Sequence, residues 1–211
     1  SVKDYGTTSA YTNYTYDKNG NQTKVEKYSK NNDSRFKLDI VNAVYGIENA
    51  GAEKFTYNGL NQLTGYENIN GKYNGKVGLN AEYKYMANGY RVSKNVNGIE
   101  TRYLWDRDNI AVELNSVNVV NQKYCRGYNL ICDDSNVYYA HDAHGNIIEK
   151  YNSDGSYIDD WYIYNAFGTN KYFNDTCTPN KWGYCDQLRD WETGNYYMRA
   201  RYYNPDTGRF I

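Results

Sequence analysis

Proline is almost missing from this chain: 2 residues in 211, with only 2 methionines and 2 histidines beside it. So few prolines leave no Pro-rich linker, and no other stretch looks like one, so the chain is expected to be one body. No apolar run approaches the ~18–20 residues of a membrane-spanning helix, and no membrane span is expected. The charges nearly cancel, 24 basic against 25 acidic, for a net charge of -1. No basic stripe supports nucleic-acid binding, and none is expected. The G-x-S-x-G elbow, the P-loop and the dinucleotide fingerprint are all missing, and no cofactor is expected. No signal peptide is visible, and the first residue is Ser1, which suggests a processed or excised piece.

What is present is tyrosine, 27 of them, with 18 glycines. Aromatic residues make up 17% of a chain whose mean hydropathy is -0.95. A chain poor in Leu and Ile must build its core from large amphipathic rings. That suits a sheet, where a ring lies on the pleated surface and keeps its hydroxyl hydrated or bonded.

The chain repeats a short phrase: an aromatic, then Asp or Asn, then a turn residue three positions on. It occurs at Tyr16-Asp17 with Gly20, Tyr57-Asn58 with Asn61, Trp105-Asp106 with Asn109, His141-Asp142 with Gly145, and Tyr164-Asn165 with Gly168. Tyr85 and Gly89 keep the frame without the Asp. Physically this is a strand ending on an aromatic, a carboxylate or amide bonding the turn backbone, a residue at positive φ, and a returning strand. The flanks alternate: Ala81, Tyr83 and Tyr85 oppose Glu82 and Lys84, and the stretch Tyr157 to Tyr164 alternates likewise. Asn70-Gly71, Asn97-Gly98 and Asp154-Gly155 are hairpin turns. Phe36 to Ala52 is read as strand, with a short helix around 40–45 left open. The expected class is all-β, a strip of antiparallel hairpins built from degenerate repeats.

The last stretch, QLRDWETGNYYMRARYYNPDTGRFI, places Glu192-Thr193-Gly194 and Asp206-Thr207-Gly208 as turns. Between them Tyr196 to Tyr203 reads as one strand, with Tyr197, Arg199, Arg201 and Tyr203 on one face. This string closely resembles the end of the Rhs (YD-repeat) associated core, and the turn phrases resemble YD repeats. Tyr138 to Asn146 and Tyr162 to Gly168 resemble further strings of that core. The resemblance implies one domain over 1–211, with degenerate repeats in 14–137 and the core-associated segment in 138–211. It also implies a curled or spiralling sheet forming part of a shell around a variable C-terminal polypeptide, often a toxin. The partners implied are the rest of its own polypeptide, copies of itself, or an enclosed C-terminal toxin.

The chemistry implied by the family is self-cleavage after the core, using aspartates and the Arg matched here by Arg201. Asn204 stands where the family usually has Asp, and the DP-x-GL string that follows GRF is not reached by Ile211. On that ground the chain is expected not to be an enzyme, with Arg201 a structural cation stacked between Tyr197 and Tyr203. A self-assembling surface or filament protein and a truncated self-cleaving protease are the alternatives. His141 and His144 are read as turn residues rather than a metal pair.

The four cysteines form two close pairs, Cys125 with Cys132 and Cys177 with Cys185. Two local disulfides in an extracellular (secreted or cell-surface) protein is the first reading. Cross-pairing, a four-thiolate zinc site and free buried thiols stay open.

Overall fold

The computed structural model describes residues 10–30, 47–69, 78–158, 162–170 and 180–211. The expected strand or helix between Phe36 and residue 46, the Asn70-Gly71 turn, and Cys177 lie outside them. The chain divides into two compact units, residues 1–80 and 81–211. Both are all-β and antiparallel, and the strands neighbour one another in chain order.

The first unit is a four-stranded meander of β1 (Ala10–Tyr16), β2 (Gln22–Lys30), β3 (Ile47–Tyr57) and β4 (Leu63–Ile69). Among the described residues its core is aliphatic with one aromatic pair. Val25, Phe55, Leu63, Tyr66 and Leu79 are buried, and the Phe55 and Tyr66 ring centroids lie 5.3 Å apart.

The second unit carries the longer meander. Its strands are β5 (Asn80–Tyr85), β6 (Arg91–Val96), β7 (Ile99–Asp106), β8 (Asn109–Asn115), β9 (Val120–Arg126), β10 (Leu130–Asp133), β11 (Tyr138–His141) and β12 (Ile147–Tyr151). On β5, Ala81 and Tyr83 are buried while Glu82 and Lys84 are exposed, the period of a one-sided sheet. From Tyr157 to Tyr164 the described residues form isolated bridges, Tyr151 to Tyr157 and Tyr164 to Asn170, rather than a regular strand. A second sheet follows, of β13 (Leu188–Arg189), β14 (Tyr196–Met198), β15 (Arg201–Asn204) and β16 (Arg209–Phe210). Trp182 and Leu188 from this tail pack with Tyr103, Ile110, Leu130 and Ile147 in one hydrophobic cluster.

One local device recurs at the turns. Asp17 Oδ1 accepts from the amides of Asn19 and Asn21, and Gly20 sits at φ 86°. Asn58 does the same for Leu60 and Gln62, with Asn61 at φ 59°. Asp142 serves His144 and Asn146, with Gly145 at φ 82°. Asn165 serves Phe167 and Thr169, with Gly168 at φ 85°. The side chain satisfies two amides that the turn would otherwise leave to water. The pairing register slips by one residue at the aromatic before each turn, between Thr15 and Tyr16, Thr56 and Tyr57, Lys84 and Tyr85, and Ala140 and His141. The repeats at Tyr16, Tyr57 and His141 are therefore each a strand, a bulge, a turn capped by an Asp or Asn side chain, and a returning strand.

The aromatic also ties repeats together. Tyr57 Oη donates to the Gln22 carbonyl at 3.2 Å, Trp105 Nε1 to the Arg91 carbonyl at 2.9 Å, and Tyr164 Oη to the Ile147 carbonyl at 3.0 Å. Gln22, Arg91 and Ile147 each stand at the start of the strand returning from an earlier turn. All three are among the most deeply buried residues.

Candidate functional site: the buried seam under the C-terminal sheet

β6 enters from the turn closed by Gly89, at φ 89°, and its first residue points inward. That residue is Arg91, fully buried in the second unit. Its guanidinium meets the carboxylate of Asp190, at the end of β13, in a two-pronged pair of 2.5 Å and 2.9 Å. Lys94 on the same strand reaches Asp190 at 2.9 Å and Glu192 at 3.1 Å. Two cations face two carboxylates, so the seam is neutral when all four are charged.

Tyrosines close the seam. Arg91 Cζ lies 4.3 Å from the Tyr197 ring centroid and 5.1 Å from that of Tyr103. Tyr197 Oη accepts from the Arg91 amide at 2.8 Å, Tyr202 Oη accepts from its guanidinium at 3.0 Å, and Tyr83 donates to Glu192 at 2.9 Å. Burial works against the charge on Asp190, but Arg91 and Lys94 outweigh it and hold the carboxyl below its ordinary value. Burial likewise opposes the charge on Lys94, yet Asp190 and Glu192 raise its affinity for the proton. Burial first, then the carboxylates nearby, push the Tyr83 phenol far up, so it stays a neutral donor.

A second contact anchors the tail beside β10. Asp186, 8% exposed, accepts from Arg126 Nη1 at 2.6 Å and from the Leu130 amide at 3.0 Å. Arg126 also stacks on Trp182, 4.3 Å from the ring centroid. The neighbouring Cys185 sulfur lies 3.6 Å from His144 Nδ1, beside a cavity of about 470 Å³ lined by Asp142, His144, Tyr162, Tyr164 and Tyr184 among others. Burial, then the Asp142 charge, push the Cys185 thiol up, so it rests protonated at neutral pH.

The structure redraws the C-terminal stretch. Tyr196 to Tyr203 is not one strand: β14 and β15 are the arms of a hairpin whose turn holds Arg199 at φ 58°. Arg199 and Arg201 are therefore not neighbours on one strand face. Arg199 bonds the Asp108 carbonyl at 2.7 Å and Gln187 Oε1 at 2.7 Å. Arg201 is exposed and rests on Phe210, 3.8 Å from its ring centroid, rather than between Tyr197 and Tyr203. The cation among the tyrosines is Arg91, which the sequence did not single out. Asn204 Oδ1 accepts from the Asp206 amide at 2.9 Å, capping the turn that ends at Gly208. Asp106 pairs with Asn109 across a two-residue hairpin, and Arg107, not Asn109, takes the positive φ.

Two capped turns escaped the sequence reading. Asn115 serves Val117 and Val119, with Asn118 at φ 63°, and Asp133 serves Ser135 and Val137, with Asn136 at φ 61°. Their preceding residues, Leu114 and Cys132, are not aromatic, so a search for Asp or Asn with Asn or Gly three on would have found them. Among the described residues no disulfide joins Cys125, Cys132 and Cys185, and no group of three or more His, Cys, Asp or Glu is placed to hold a metal ion. Among them, too, no helix is long and apolar enough to cross a membrane.

No family model matches the chain. Over 140 residues, 62% of its length, it is 36% identical to the tRNA3(Ser)-specific nuclease WapA of Bacillus spizizenii. Over the same length it is 35% identical to the tRNA nuclease WapA of Bacillus subtilis. In each case it spans 6% of the relative. In fold, 96% of the chain superposes on 12% of a chain in a crystal structure of TcdB2-TccC3-Cdc42, with a TM-score of 0.54 and 18% identity. Sequence and fold are Rhs-like.

The relatives also correct one expectation. They are named as nucleases, so the reading of this chain as no enzyme is withdrawn. That reading rested on the self-cleavage string alone, and one reaction's missing residues say nothing about another reaction. The same names weigh against the expectation that nucleic acid is not among the partners.

Proposed function

We propose that this chain is a wall segment of an exported Rhs-like protein that encloses another stretch of polypeptide. Residues 138–211 would be its core-associated part. The observation that carries this reading is the tail sheet seated on the meander through Arg91, Lys94, Asp190 and Glu192. Pulling the two sheets apart would leave the buried charges of Arg91 and Asp190 without partners, which opposes their separation. Similarity to WapA and the TcdB2-TccC3 fold support it. The polypeptide to which the chain belongs would act as a nuclease on tRNA, as its relatives are named.

The test is limited proteolysis of the native protein as isolated from its source, followed by mass spectrometry and a tRNA cleavage assay. An enclosed segment should resist protease until the wall is unfolded by urea, and tRNA cleavage should rise on its release. A native particle in which every segment outside this chain is cut at once would sink the enclosure. A linear polymer of copies under the electron microscope would favour the filament alternative instead.

A further inference from the structure

We propose that Cys125 and Cys132 are a redox-active cross-strand pair that closes into a disulfide and locks the β9–β10 hairpin. The two residues are register partners in the antiparallel pair, just past an irregularity between Leu130 and Cys132, and regular pairing resumes at Asp133 with Tyr124. Residues so paired have Cα atoms about 4.5–5.5 Å apart and side chains on one face of the sheet. That lies inside the span of about 4.4–6.8 Å that a disulfide bridges without moving the backbone. Spacing alone left the partners of the four cysteines open. Register assigns these two to each other, whereas the Cys185 sulfur faces the His144 ring at 3.6 Å.

Both sulfurs are thiols in this structure, Cys125 exposed and Cys132 half-buried. The oxidant is a small-molecule disulfide. Cys125, the more accessible sulfur, loses its proton to solvent and attacks one sulfur of that disulfide, whose other half leaves as a thiolate and is protonated. Cys132 then loses its proton to solvent and attacks the Cys125 sulfur, and the second half of the small disulfide leaves as a thiolate and is protonated. The small disulfide is reduced to two thiols while the two cysteines are oxidised to one bond.

The place of the pair gives the bond a consequence. The hairpin it would staple also carries Arg126 and Leu130, the two residues that hold Asp186 of the tail. Oxidation would restrain both partners of that anchor, and reduction would free them.

The experiment equilibrates the whole chain with oxidised glutathione, blocks the remaining thiols, and maps peptides by mass spectrometry. One peptide pair linked through Cys125 and Cys132 is the expected result. Thermal unfolding should then show the oxidised chain melting roughly 5 °C above the reduced one, a difference that Cys125→Ser abolishes. A link from either residue to Cys177 or Cys185 would overturn the proposal. So would finding both cysteines still open to alkylation after equilibration.

Discussion

Arg91 is the most consequential single residue of the second unit. Its guanidinium is fully buried against Asp190, and a buried charge that loses its partner costs about 3–5 kcal/mol. Arg91→Met leaves Asp190 and Glu192 with Lys94 alone; Asp190→Leu leaves Arg91 and Lys94 with Glu192 alone. Each should destabilise the chain by roughly that amount. The double variant leaves the neutral Lys94–Glu192 pair and should recover much of the loss, as urea unfolding in a double-mutant cycle will read. Purely additive losses would show that the two side chains act separately.

The same seam sets a pH window. Asp190 is held below its ordinary 3.8, so its contribution is present above that value and lost as pH falls through the depressed one. Lys94 is held above its ordinary 10.5, so its contribution is present below that value and lost as pH rises through the raised one. Melting temperature measured across pH should therefore be level in between as far as the seam is concerned, with an acid loss setting in below about pH 4. A main loss between pH 6 and 7 would place the controlling group elsewhere. None of this was legible in the sequence. Arg91 lies 99 residues from Asp190, and nothing in a local pattern marks which of 24 basic residues a distant carboxylate will meet.

The elements were far more legible than the seam, because their rules are local. Asp or Asn four positions from a returning amide, with Gly or Asn between, specifies the capped turn at Asp17, Asn58, Asp142 and Asn165, although Asp106 and Asn109 fit the phrase and form a two-residue hairpin instead. The hairpin at Arg199 was missed because neither Arg199 nor Ala200 is a usual turn residue. Arg199 sits at φ 58°, and its guanidinium is held there by three polar contacts.

The glycines of two like turns allow a graded test. A Cβ on Gly145 would meet Asn129 at 3.9 Å, an ordinary contact, so Gly145→Ala bears only the left-handed backbone cost, about 1–2 kcal/mol. A Cβ on Gly168 would lie 2.5 Å from the Tyr184 ring. Gly168→Ala bears the same backbone cost and must also push that ring aside, for ~1–3 kcal/mol more. Chemical denaturation of the two variants measures the difference, and equal losses would mean that the ring moves freely.

At the scale of the whole molecule, the chain covers 12% of the structure it superposes on and 6% of its WapA relatives. The enclosure proposed for it belongs to a body of the relatives' length, of which this chain would be one wall segment. Protease protection of the native protein is accordingly the measurement at this scale. The repeat phrase disclosed the strip because each unit writes its own turn. The closing sheet was legible only as a motif, since its seat depends on residues about a hundred positions earlier.

The hydrogen bonds from Tyr57, Trp105 and Tyr164 to carbonyls of earlier repeats have a consequence for how such a strip grows. With strands adjacent in chain order and such a bond between repeats, the repeats of each unit form a one-dimensional lattice with mainly neighbour coupling. Such a lattice orders like a zipper, each new tooth gripping the one already closed, and it loosens most readily from a free end. Order in such a strip can propagate from one repeat to the next along the chain. The tail, which grips Arg91 and Lys94 across that distance, is the clasp that comes last.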